Sequence, residues 1–136
     1  MRKFIFALGI LGAVIAAGWA SRQWSTITVK ARAHSLNEDI ENLFVGLQQF
    51  KENVGVWPVG SNADIVKALK GQNPKNVIIL VGRKLELNSQ GEFVDPWGTA
   101  LRIYFGGNNI LIRSAGPNKR FDDSTSPECD DYLRSN

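Results

Sequence analysis

The sequence predicts an α+β fold in which a long N-terminal amphipathic helix packs on a small antiparallel sheet, and three patterns carry that prediction. Leu36, Ile40, Leu43, Phe44, Leu47 and Phe50 recur at three- and four-residue steps, while Asn37, Glu38, Asp39, Glu41, Gln48 and Gln49 take the opposite face. Leu101, Ile103 and Phe105 alternate with Arg102 and Tyr104, Gly106-Gly107-Asn108-Asn109 supplies a reversal, and Ile110-Leu111-Ile112 runs back as the second arm of a hairpin. Asn88-Ser89-Gln90-Gly91 and Asp95-Pro96-Trp97-Gly98 both have the composition of tight turns. The helix presents one apolar stripe and the hairpin one apolar face, and a small sheet needs a helix to cover that face.

The chain begins with Arg2 and Lys3 and continues from Phe4 to Ala20 without a charged residue. As a helix, such a run spans about 26 Å, slightly short of a hydrocarbon core of about 30 Å. Two assignments fit. Small residues at Gly18 and Ala20 permit signal cleavage before Ser21, whereas an apolar body this long, with Trp19 and Trp24 at its outer end, suits a retained anchor. Either way the basic flank stays on the cytoplasmic side and the remainder is translocated. The expected topology is a single pass with the C-terminal domain on the far side of the membrane, or release on that side after cleavage.

This divides the chain into 1–21 as anchor or signal segment, 22–52 as the amphipathic helix, and 53–136 as a C-terminal α+β region with a hairpin and an acidic loop. No Pro or Gly occurs from Trp19 to Val45, which permits one rod, but Ser35-Leu36-Asn37-Glu38 has capping-box spacing and could start a separate helix. Asn53, Gly55 and Trp57-Pro58 end the rod. Asn62 is the expected cap of a short helix bearing Ile65, Val66 and Leu69, closed by Gly71 and Asn73-Pro74. Val77 to Val81 is an apolar run suited to a buried strand.

Composition narrows the function. Of the formal charge of +3, Arg2 and Lys3 supply two, so the basic balance gives no argument for a nucleic-acid partner. Asp122, Asp123, Glu128, Asp130 and Asp131 crowd the tail, a distribution that suggests cation binding or a polar rim. The one cysteine, Cys129, cannot form an internal disulfide and reads as a loop thiol. His34 is the only histidine, so neither a Ser-His-Asp triad nor a two-histidine metal site can be built, and no Gly-rich phosphate loop follows a strand. The chain is not expected to be an enzyme. Trp57 and Trp97 are read as packing residues, with ligand stacking as the other reading.

The order of motifs resembles a known family. A basic-apolar N-terminus, a helix ending in Leu47-Gln48-Gln49-Phe50-Lys51-Glu52-Asn53-Val54-Gly55-Val56-Trp57-Pro58, then Gly91-Glu92-Phe93-Val94-Asp95-Pro96-Trp97-Gly98-Thr99, then Ser114-Ala115-Gly116-Pro117-Asn118 and Asp122-Asp123, is similar to the type II secretion major pseudopilins (G-type), relatives of type IV pilins. The resemblance covers roughly residues 36–123. It implies a pilin-like fold anchored in the inner membrane, self-assembly through the N-terminal helix into a short fibre, other secretion-system subunits as partners, and a role in protein secretion. It also implies calcium in the C-terminal loop, with Asn118, Asp122 and Asp123 as the candidate ligands. Asn118 and Lys119 stand where the family pattern has Asp and Gly. Prepilin peptidase processing and a glutamate inside the apolar segment are further family features. This chain lacks the Thr-Leu-x-Glu motif and has no acidic residue before Glu38. A pilin-fold module of the periplasm that binds a partner without polymerising is the second reading.

Overall fold

In a computed structural model of the chain, residues 28, 30–79, 86–123, 125–127 and 129–136 are described. Contacts divide the chain into Met1–His34 and Ser35–Asn136. Of the first unit, residues 28 and 30–34 are described and are helical. The expected anchor and the start of the expected rod lie outside the described residues, and among those described no helix is long and apolar enough to cross a membrane.

In the second unit the chain is helical to residue 54 (α1, described over residues 30–54). Ser35 is helical and not a cap, and its hydroxyl donates to the Asp39 carboxylate one turn on, at 3.3 Å. The stripe read from the periodicity is buried along its length, with Leu43 and Leu47 at 0% exposure and Phe44 at 3%. Burying each such side chain contributes about 1.5–3 kcal/mol, so this face holds the helix in place. The outer face is polar apart from Val45. Gly55 terminates the helix with φ +99, its N–H donating to the Lys51 carbonyl at 2.7 Å, the left-handed cap that glycine adopts without steric cost.

Ser61, and not Asn62, caps α2 (Asn62–Leu69): its side chain accepts from the Asp64 N–H, and Asp64 returns a bond to the Ser61 N–H. This capping box with Asp in the Glu position satisfies two orphan donors, which frees the Asn62 amide for another role. Ile65, Val66 and Leu69 face the core as expected.

The run from Val77 does not form a buried strand among the described residues. Ile78 makes a single bridge to Lys70 and is 65% exposed, while Ile79 is buried. An extended backbone sends alternate residues to core and solvent, and residues 80 and 81 of the run Val77 to Val81 lie outside the described residues.

Strands β1 (Arg102–Gly106) and β2 (Asn109–Ser114) pair antiparallel, Ile103 opposite Ile112 and Phe105 opposite Ile110. Gly107 at φ +60 takes the first central position of the two-residue turn. A strand absent from the sequence reading, β3 (Tyr132–Ser135), pairs antiparallel with β2 to complete a sheet of order β1-β2-β3. The architecture is α+β, with helix and a three-stranded antiparallel sheet around one core. The core joins the α1 stripe, α2, Phe93, Trp97, Leu101, Ile110 and Ile112. Arg134 of β3 straps sheet to helix by stacking its guanidinium over Phe44 at 4.1 Å and pairing with Glu41 at 2.7 Å.

Candidate functional site: the acidic loop

The loop is built from the end of β2 outward. Ser114 is fully buried, and its hydroxyl donates to Asp95 Oδ2 at 2.8 Å. Asp95 is itself 2% exposed, and its other oxygen accepts the N–H groups of Trp97 and Thr99 at 3.0 and 2.9 Å. The Asp-Pro-Trp-Gly turn closes with the Gly98 N–H on the Asp95 carbonyl at 2.9 Å, Gly98 lying at φ +88. The two motifs that stand apart in sequence therefore meet through a buried carboxylate and a buried hydroxyl.

From Ser114 the chain enters a turn at 116–119. The Gly116 N–H donates to Ser114 Oγ at 3.1 Å, and Gly116 sits at φ +66 so close to Asp130 that a Cβ would lie 2.2 Å from the Asp130 carbonyl oxygen. Lys119 closes the turn with its N–H on the Gly116 carbonyl at 3.1 Å and adopts φ +61. A side chain in that left-handed region costs about 1–2 kcal/mol, so Lys119 holds a backbone shape that glycine adopts more readily.

Asp122, Asp130 and Asp131 converge here, with carboxylate oxygens within 4.8 Å of one another. Asn118 lies between two of them: its N–H donates to Asp130 Oδ2 at 3.1 Å, its amide donates to Asp122, and its own Oδ1 accepts the Arg120 N–H at 2.7 Å. Asp131 has no exposed side-chain surface and is paired with Arg113, whose guanidinium also donates to the Asp122 carbonyl. Arg113 and Arg102 both stack on Phe121, at 5.5 and 3.8 Å. Thus the acidic loop is clamped to β2 by an arginine.

Of the three candidate ligands, Asn118 and Asp122 come together and Asp123 does not. Asp123 turns to the Thr125 N–H at 3.2 Å, a bond that holds its carboxyl below the usual range, helped by the Thr125 hydroxyl and by the charge of Arg113. Asp130 and Asp131, and not Asp123, lie beside Asp122. The sequence placed both only in the acidic tail, beyond the motif, and the pairing of β3 with β2 carries them back to Gly116 and Arg113.

The donor chemistry suits a hard cation, which takes oxygen ligands in a flexible shell. Arg113 commits Asp131, so the oxygens left for a cation are those of Asp122 and Asp130, with Asn118 Oδ1, which already accepts the Arg120 N–H, offering its second lone pair. Asp130 Oδ1 is buried and lacks a hydrogen-bond partner among the described residues, and such an orphan costs free energy that a cation would offset.

The remaining singled-out residues have structural surroundings. Trp57 donates from Nε1 to the Gly107 carbonyl at 2.8 Å, stacks on Phe105 at 5.2 Å and carries the Lys51 ammonium over its ring at 4.5 Å. Both contacts leave little ring for a ligand. Trp97 is buried against Tyr132 at 6.0 Å. His34 is on the exposed side of its helix, and Cys129 is a half-buried free thiol. No family model, curated protein or solved structure matches the chain.

Proposed function

We propose that the chain is a pseudopilin-like structural subunit of a type II secretion (type IV pilus-like) assembly, contributing to protein secretion across the envelope. In this reading the apolar N-terminal segment anchors it in the inner membrane, the α+β domain stands in the periplasm, and subunits associate with one another and with other secretion-system subunits through the N-terminal helix. The role is structural and not catalytic, and calcium bound by Asp122, Asp130 and Asn118 stiffens the acidic loop.

One observation carries the reading: the stripe Leu36 to Phe50 is buried against the sheet and its connecting turns, the packing that a pilin-like unit requires. The joining of Asp95 to Ser114 adds support, because it gives the two motifs of the resemblance a shared physical task. The test is N-terminal sequencing and intact mass of the protein from a membrane fraction, with cysteine cross-linking from positions 24–50. A methylated start within the apolar run and self-cross-links along the helix are expected. A start at Ser21 with no self-contact would remove the fibre.

A second reading is favoured by the absence of any acidic residue before Glu38. Without a glutamate in the apolar segment, the chain would be a pilin-fold binding module of the periplasm, tethered or signal-cleaved, that does not polymerise. An intact Met1 without self-cross-links supports the tethered form.

A further inference from the structure

The buried carboxylate of Asp95 is outside the acidic loop, yet an unbroken series of contacts runs from one to the other. Asp95 Oδ2 accepts from the Ser114 hydroxyl, and Ser114 Oγ accepts from the Gly116 N–H, at 2.8 and 3.1 Å. Gly116 then packs on the Asp130 backbone more closely than any other residue could, and the Asn118 N–H two residues on is bonded to Asp130 Oδ2 at 3.1 Å. Ser114 and Asp95 are 0% and 2% exposed, so no water competes for these bonds.

We infer that Asp95, acting through Ser114, is the positioning residue of the acidic loop. Asp95 Oδ2 takes the Ser114 hydroxyl as a donor, which leaves the Ser114 oxygen to accept from the Gly116 N–H. That bond sets the direction in which the chain leaves β2, and hence the left-handed step at Gly116 that brings Asn118 against Asp130. The Asp-Pro-Trp-Gly turn is then more than a chain reversal: it holds the loop that carries the oxygen ligands. The link to cation affinity rests on the calcium reading above; the link to loop shape does not.

The experiment uses the full chain in detergent micelles, with Ser114→Ala as the main variant and Asp95→Asn as the second. Asparagine keeps one oxygen for the Trp97 and Thr99 N–H groups but presents an amide donor to Ser114, which reverses the polarity of the relay. Hydrogen exchange is read over 114–119 against the hairpin 103–112, and calcium chloride is titrated calorimetrically. Losing the bond from the Gly116 N–H is expected to speed exchange in 114–119 by about tenfold relative to the hairpin, and to weaken calcium by a similar factor. Unchanged exchange in 114–119, or an equal rise in loop and hairpin, would overturn the inference. A loosened loop that binds calcium as tightly as before would overturn the link to cation affinity and bear out the link to loop shape. A wild-type chain that takes up no calcium would remove the calcium reading, and the relay would be decided by exchange alone.

Discussion

Asn62 and Phe93 exchange two hydrogen bonds as if they were neighbours in a sheet: the Phe93 N–H donates to Asn62 Oδ1 at 2.8 Å, and the Asn62 amide donates back to the Phe93 carbonyl at 3.0 Å. The same amide reaches the Leu101 carbonyl at 2.8 Å. One side chain at the start of α2 thereby satisfies three backbone groups on two segments that flank the Asp-Pro-Trp-Gly turn. Replacing it with alanine strands the Phe93 N–H and the Leu101 carbonyl at about 1–3 kcal/mol, while the Phe93 carbonyl keeps the Leu101 N–H at 2.9 Å. Asn62→Ala is expected to lower unfolding stability by about 2 kcal/mol, measured by urea denaturation, whereas Ser61→Ala loses only the cap, about 1 kcal/mol.

The α1 stripe gives a sharper contrast. Leu43→Ala and Leu47→Ala each open a cavity at a fully buried position and are expected to cost about 2–5 kcal/mol. Gln49→Ala on the exposed face stays within about 0.5 kcal/mol. Equal effects on the two faces would mean that the stripe does not pack as described.

Two left-handed residues of one turn respond differently to substitution. Lys119 at φ +61 pays for a conformation that glycine adopts freely, so Lys119→Gly is expected to raise stability by roughly 1 kcal/mol. Gly116→Ala adds a Cβ 2.2 Å from the Asp130 carbonyl and must displace β3's approach; it is expected to be more damaging than Gly98→Ala, where φ is +88 but nothing lies within 4 Å. Thermal melts of the three variants rank them.

Acid should destabilise the fold through three depressed carboxyls. Arg134 bonds and attracts Glu41, Ser61 bonds Asp64 from both hydroxyl and backbone N–H, and Thr125 bonds Asp123, each holding its partner below the ordinary carboxylate value. A folded value below the unfolded one gives a contribution present above the unfolded pKa of about 4 and lost as pH falls through the folded value. Stability is therefore expected to decline below about pH 4. NMR titration of Ser61→Ala should return Asp64 toward the ordinary range while leaving Glu41 unmoved.

Calcium supplies the remaining test. A site loaded at one hundred times its Kd stabilises by about 2.7 kcal/mol, so a chelator should lower the melting temperature of the wild type. Asp130→Asn and Asp122→Asn are expected to abolish that response, and Asp123→Asn to preserve it, because Asp123 is engaged by Thr125. The reverse order would favour the ligand set expected from sequence.

Much of the fold was legible because it is locally encoded. The α1 stripe, the β1–β2 hairpin and both turns depend on periods and stereochemical preferences of contiguous residues. The candidate site was legible in half. Asn118 and Asp122 stood in a motif, whereas Asp130 and Asp131 looked like tail. Asn62 was read as a cap because its residue type suits one, and Ser61 fills that place equally well; a helix start does not reveal which of two neighbouring polar residues a distant strand will claim.

By itself the sequence determined which segments are helical, which reverse, and which face of each is apolar, since these follow from side-chain spacing and from glycine and proline geometry. Only the tertiary structure decided what lies beside what. Asp95 meets Ser114 across nineteen residues and Glu41 meets Arg134 across ninety-three, and β3 becomes a strand because β2 offers it an edge. Those contacts arise when apolar faces are buried together and buried polar groups must then find partners wherever the packing has brought them.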